Sequence, residues 1–133
     1  MIEQELIGRE SKAITLKIKL EDVRRFSEAI GIQFNDQGPV PATFVGTLIQ
    51  AKIPGFELLV PGIIHGEQKI TYHRPLYVGD SITYKSRIKD IYQRNGKRGK
   101  INYVVVETIG SDLTGEMVFS SSSILIAPTK GEA

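Results

Sequence analysis

Ile64-His65-Gly66-Glu67-Gln68-Lys69-Ile70-Thr71-Tyr72-His73-Arg74-Pro75-Leu76-Tyr77-Val78-Gly79-Asp80 is the stretch on which the reading of the fold turns. It opens as a strand: Ile70 and Tyr72 stand two apart and share one face of a sheet. Pro75 cannot donate to a ladder, so the strand ends or reaches an edge there. Val78-Gly79-Asp80 carries turn chemistry, with Asp80 as the turn residue. A second strand follows at once, Ser81 to Ile91. In it Ile82, Tyr84 and Ile88 alternate with Thr83, Lys85, Arg87 and Lys89, the pattern of a sheet with one packed and one wet face. Both histidines of the chain, His65 and His73, lie inside the quoted stretch.

Working outward, Ile101–Gly110 and Gly115–Ile126 read as two further strands. Asn95-Gly96 and residues Asp112 to Gly115 supply the turns, so the C-terminal half is a meander. Toward the N-terminus, Ala13 to Lys19 alternates apolar and polar residues and predicts a first strand. Leu20, Val23, Phe26 and Ile30 then share one face of a helix that Gly31 stops. Pro41 suits the first turn of a second helix, because the N–H it lacks would be unpaired there. That helix is expected over Ala42 to about Lys52, ended by Pro54-Gly55. Phe44, Val45, Leu48, Ile49 and Ala51 make it apolar on most sides, which predicts burial. Strand, helix, buried helix, then four antiparallel strands is the hotdog arrangement, an α+β fold with a curved antiparallel sheet around a central buried helix.

The 133 residues suit a single domain spanning 1–133. There is no cysteine, so there is no disulfide framework, thiolate nucleophile or Cys-based metal site. A net charge of +2 is too balanced to argue for nucleic acid. No apolar run approaches a membrane span, and the start Met1-Ile2-Glu3-Gln4-Glu5 lacks the form of a signal peptide. A cytoplasmic protein with no membrane partner is the expectation.

The words His65-Gly66-Glu67-Gln68 and Tyr72-His73-Arg74-Pro75-Leu76, closed by Gly79-Asp80, resemble the MaoC-like hotdog proteins, in particular their FAS1-like N-terminal dehydratase branch. Ile7-Gly8-Arg9-Glu10, Phe26 to Gly31 and Pro41-Ala42-Thr43-Phe44 extend the resemblance over nearly the whole chain. It implies work on 3-hydroxyacyl or 2-enoyl thioesters, carried by coenzyme A or an acyl carrier protein, with no cofactor. Catalytic members of that family place an Asp and a His before the central helix, in a pattern like G-D-x-N-P-x-H. Acid–base chemistry needs two such titratable groups within reach of one pair of substrate carbons. Laid on Gly31, the pattern meets Ile32 where Asp belongs and Gln37 where His belongs. Neither can shuttle a proton. The resemblance therefore implies a subunit that lacks the catalytic pair and lends part of an acyl tunnel to a catalytic hotdog partner. A homodimer, a self-sufficient enzyme with a relocated acid or base, and a non-catalytic acyl-thioester binding module stand as alternatives.

Asp36, His65 and Glu67 are the candidates for a relocated catalytic group. Each has a plainer reading: a loop carboxylate, a strand histidine bonded to backbone, and a strand glutamate that is exposed or ion-paired. His73 is expected to be exposed at a strand end. Two histidines eight residues apart, without clustered carboxylates, do not suggest a metal. Of Glu67 and Gln68, one should face in and one out, and Gln68 would offer substrate a neutral amide. The backbone N–H groups of Ala42, Thr43 and Phe44 at the start of the second helix are candidates to polarise a thioester carbonyl. Arg94, Lys97 and Arg98 sit in a basic hairpin tip without interleaved aromatics. The tip reads as a solvated loop, or as a contact for coenzyme A phosphates or an acidic carrier. Finally, the apolar surplus on Phe44, Val45, Leu48 and Ile49 predicts a dimer joined through a sheet edge.

Overall fold

The structure, a computed structural model, describes residues 4–47, 53, 64–97 and 99–128. Five strands, β1 (Ile14–Lys17), β2 (Ile64–Tyr72), β3 (Ser81–Gly96), β4 (Gly99–Ser111) and β5 (Met117–Pro128), form one antiparallel sheet in the order β1-β3-β4-β5-β2. The predicted meander is present as β3-β4-β5. The strand quoted first, β2, lies at the far edge against β5, with Tyr72 opposite Phe119. The hairpin between β3 and β4 closes later than expected. Asn95 and Gly96 are still in β3, paired with Lys100 and Gly99. The sequence between them is Lys97-Arg98.

Between β1 and β2 run helix α1 (Leu20–Ala29) and a short 3-10 helix, Ala42–Thr47. Glu21 and Asp22 in the first turn of α1 suit its positive end. Its buried line is Val23 and Ser27, 0% and 1% exposed. Ile30, expected on that line, is 48% exposed because it is the capping residue and its ψ of 2° has already left the helical course. Phe26 packs edge-on against Phe44, with ring centroids 5.6 Å apart. The Ala42–Thr47 segment buries Phe44 and Val45, as the apolar pattern required. The rest of the second helix expected to Lys52 lies outside the described residues.

Alternation divides the sheet into an inner and an outer face. The inner face builds two apolar clusters. One gathers Ile18, Val23, Phe44, Leu76, Ile82, Tyr84 and Phe119; the other gathers Leu6, Ile53, Ile88, Ile91, Val104, Val106 and Leu125. Gly110 is what lets Phe119 lie flat in the first cluster. A Cβ there would sit 2.1 Å from the phenyl ring. A bulge between Ile88 and Asp90 keeps both Ile88 and Ile91 inward although they are three apart. The N-terminal segment covers the open edge of β3 beyond β1: Gly8 N–H donates to Ile88 O at 2.7 Å and Ile88 N–H to Arg9 O at 3.0 Å.

Candidate functional site

The corner after β2 is tied to several distant parts of the sheet and core. His73 N–H donates to Val118 O at 2.7 Å, anchoring the strand end to β5. Leu76, 1% exposed, plugs the core, and its carbonyl accepts Val40 N–H at 2.7 Å. Gly79 takes φ +98°, a turn that an L side chain rarely adopts, and donates to Ile18 O at 2.8 Å. Arg74 holds the corner from outside. Its Nη1 donates to Pro75 O at 2.9 Å and to Asp80 Oδ2 at 3.0 Å, and its Nη2 lies 3.7 Å from Asp112 Oδ2. Asp80 Oδ2 also accepts Tyr77 N–H at 2.9 Å. Asp80 is thus the turn residue expected, and an ion-pair partner besides. Asp112 is held below its ordinary carboxylate pKa, first by the Thr114 hydroxyl, then by the N–H groups of Glu116 and Thr114 and by Arg74. The chemistry of Arg74, Asp80 and Asp112 is spent on one another, so this motif is an architectural clamp.

Beside the corner lies a groove of about 590 Å³, lined among the described residues by 39–42 and 72–76. Pro39, Val40, Pro41, Pro75 and Leu76 make it largely apolar. The Tyr72 hydroxyl donates to Ala42 O at 2.5 Å and ties β2 to the 3-10 helix. Burial pushes the Tyr72 phenol up to about 12, so at neutral pH it can donate a hydrogen bond but not act as a base. His73, exposed as expected, also lines the groove. The groove is suited to hold an apolar chain beside a few polar groups.

The predicted site residues fall in three places. Ala42, Thr43 and Phe44 stand at the groove end of the 3-10 helix, and Ala42 lines it. Phe44 N–H donates to Pro41 O at 2.9 Å, which corrects the expectation of a free donor there: the tight 3-10 turn uses it. Glu67 and Gln68 lie on the edge strand on opposite faces, as expected: Gln68 stands opposite the buried Ser123 on the inner face and Glu67 opposite Ile124 on the outer one, and both are exposed. Glu67 is 3.8 Å from Lys69 Nζ. His65 pairs through its backbone with Leu125, and its side chain lies outside the described residues. Asp36 sits in the loop after α1, where Arg24 grips both its oxygens, Nε to Oδ1 at 3.3 Å and Nη2 to Oδ2. Among the described residues no three His, Asp or Glu side chains converge as a metal site would require.

Arg94 and Lys97 lie on the exposed end of the β3–β4 hairpin, and Arg98 lies outside the described residues. The tip is not without aromatics. Tyr92 and Tyr103 face each other across the ladder and stack with centroids 5.0 Å apart at 4°. The Arg94 guanidinium lies 5.5 Å and 5.9 Å from the two ring centres. Sequence reading missed this because the partners are eleven residues apart and register alone joins them; the signal was an aromatic in each flanking strand.

Residues 5–121 match the family model described as FAS1-like, dehydratase domain region. The chain belongs to that family. A protein of Saccharopolyspora erythraea known as a UPF0336 protein is 26% identical over 95% of this chain and 91% of its own length. Among solved structures, the truncated HadBC (3R-hydroxyacyl-ACP dehydratase) complex of Mycobacterium tuberculosis superposes with a TM-score of 0.77 at 21% identity, over 95% of this chain and all of that one. The ChsH1–ChsH2 complex of the same organism gives 0.71 at 13%, over 93% and 88%. At such identities the structures speak for the fold, and the fold is the hotdog. No helix among the described residues is long and apolar enough to cross a membrane. As a FAS1-like dehydratase-region protein, the chain is notable for what the loop before its 3-10 helix contains: Ile32, Asn35, Asp36 and Gln37, without a histidine.

Proposed function

We propose that this FAS1-like chain, as a single 1–133 domain, serves an acyl-thioester dehydratase or hydratase as the subunit without an acid–base pair. It lines part of the acyl tunnel while a second hotdog chain supplies the chemistry. The observation that carries this is the state of Asp36. It is the only ionisable side chain in the loop 31–37, and it is committed to Arg24 on the exposed surface of α1. Two solved relatives in the fold, HadBC and ChsH1–ChsH2, are two-component complexes. The groove between 39–42 and 72–76 is the part of the acyl site this chain would contribute. The edge of β2, where Ile64 is 63% exposed, is where the partner would extend the sheet. No cofactor is required by this chemistry.

The test is hydration of a crotonyl thioester by the purified chain, then with a hotdog subunit bearing an intact Asp/His pair. The chain alone should show no turnover above buffer, and the mixture should. Turnover by the chain alone, abolished by His65→Ala, would sink the subunit reading and make His65 the base.

A further inference from the structure

Residues 85–100 carry seven basic side chains and one acidic, a net of +6, which leaves −4 on the rest of the chain. The whole-chain balance of +2 hides this asymmetry. Most of the excess lies along β3 and its hairpin with β4. The bulge at Ile88/Asp90 shifts the alternation by one residue, so Tyr92 and Arg94 join Lys85 and Arg87 on the outer face. Glu10 and Glu107 pair with Lys85 at 3.0 Å and Arg87 at 2.9 Å. Lys89 and Lys97 are exposed and have no ion-pair partner among the described residues. Beside them the outer face is apolar. Tyr103 lies opposite Ile126 and Val105 opposite Ile124, all only half-buried.

We infer that the outer face of the β3–β4 hairpin is the docking surface for an acidic protein, the carrier that delivers the acyl thioester. The inference rests on the dehydratase reading for the identity of the cargo. The charge pattern carries the choice of partner. An apolar centre beside a cationic rim fits a protein surface with an apolar centre and an acidic rim. A two-fold copy of this chain would set cation against cation. Lys89 and Lys97 are separated by about 26 Å of extended strand, further than the phosphates of one coenzyme A molecule reach together. The tyrosine rings are already stacked on each other and capped by Arg94, which removes the platform that a nucleic-acid base would use.

The experiment is calorimetric titration of the full chain with an apo acyl carrier protein, which bears no thioester, at low and at physiological salt. Binding should weaken with salt. Lys89→Glu with Lys97→Glu should weaken it on the order of tenfold or more. Lys89→Arg with Lys97→Arg should retain it, and equal melting curves should show that all three proteins are folded. Saturating coenzyme A should not displace the carrier. Equal affinity of the wild type and the glutamate variant overturns the inference, as does displacement by coenzyme A or tighter binding of a short single-stranded RNA. Carrier binding that the glutamate variant loses, with no hydration in any mixture, supports the docking surface and overturns the dehydratase reading. Hydration of a coenzyme A thioester by the complex, with no carrier binding, does the reverse.

Discussion

The corner at residues 72–80 and the loop at 31–38 are both places where the family resemblance is carried, and they have been treated differently. In the corner every charged side chain from Arg74 to Asp80 has a partner, and hydrogen bonds reach β5, Ile18 and Val40. In the loop the bonds are local: Asn35 Oδ1 accepts Gln37 N–H at 3.1 Å, Gly38 N–H donates to Asn35 O at 2.8 Å, and Asp36 meets Arg24. The corner keeps the groove in shape. The loop keeps a turn but no proton-transfer pair. This contrast supports the proposed role, in which the chain lends shape to an acyl site and a partner supplies the chemistry.

This contrast can be broken by substitution. Leu76→Ala should have the largest effect, a loss of about 3 kcal/mol from a fully buried side chain, read as a lower denaturant midpoint. A loss comparable to a surface change would mean the corner is not seated in the core. Arg74→Ala should come next, at about 1–2 kcal/mol, since it strips charge-assisted bonds from two turns at once. The Asp112 carboxyl should show the matching pH dependence. Its folded pKa lies below the unfolded value, so its contribution is present above the ordinary carboxylate range and is lost as pH falls through the folded pKa. Asp112→Asn should therefore flatten the acid limb of the stability curve. An unchanged acid limb would remove Asp112 from the clamp.

Tyr72→Phe should cost about 1 kcal/mol by deleting the bond to Ala42 O. In the wild type the Tyr72 phenol should ionise near 12 when followed by absorbance. Because this pKa is raised on folding, the stability it brings is complete below the ordinary tyrosine value and fades as pH climbs through the folded one. A Tyr72 that titrates near 10 would mean the groove is wetter than its lining suggests. Asp36→Asn should do least, under about 0.5 kcal/mol for an exposed pair, and should leave hydration by the partnered complex unchanged. A large loss of turnover would turn the comparison around and return chemistry to the loop.

Much of the fold was legible along the chain. Period-two alternation marked β1 and β3, because a strand with one dry and one wet face must alternate, and turn residues bounded the other strands, although β3 runs five residues past its expected end at Ile91. Gly31 and Gly79 marked where the backbone reverses, and the apolar run at Phe44-Val45 marked burial. That Ile32 and Gln37 stand where the resemblance implies Asp and His was legible too, since residue identity is a property of sequence alone. What the tertiary structure decided depends on register and on contacts far apart in the chain. That β2 pairs with β5, that Asn95-Gly96 belongs to a strand, and that Tyr92 stacks on Tyr103 all follow from hydrogen-bond register, which local pattern does not encode. Arg74 could not be read as a clamp until Asp112, thirty-eight residues on, came within reach of it. Local periodicity reports which side of an element is dry; only the packed chain determines which distant group a charge or a ring will meet.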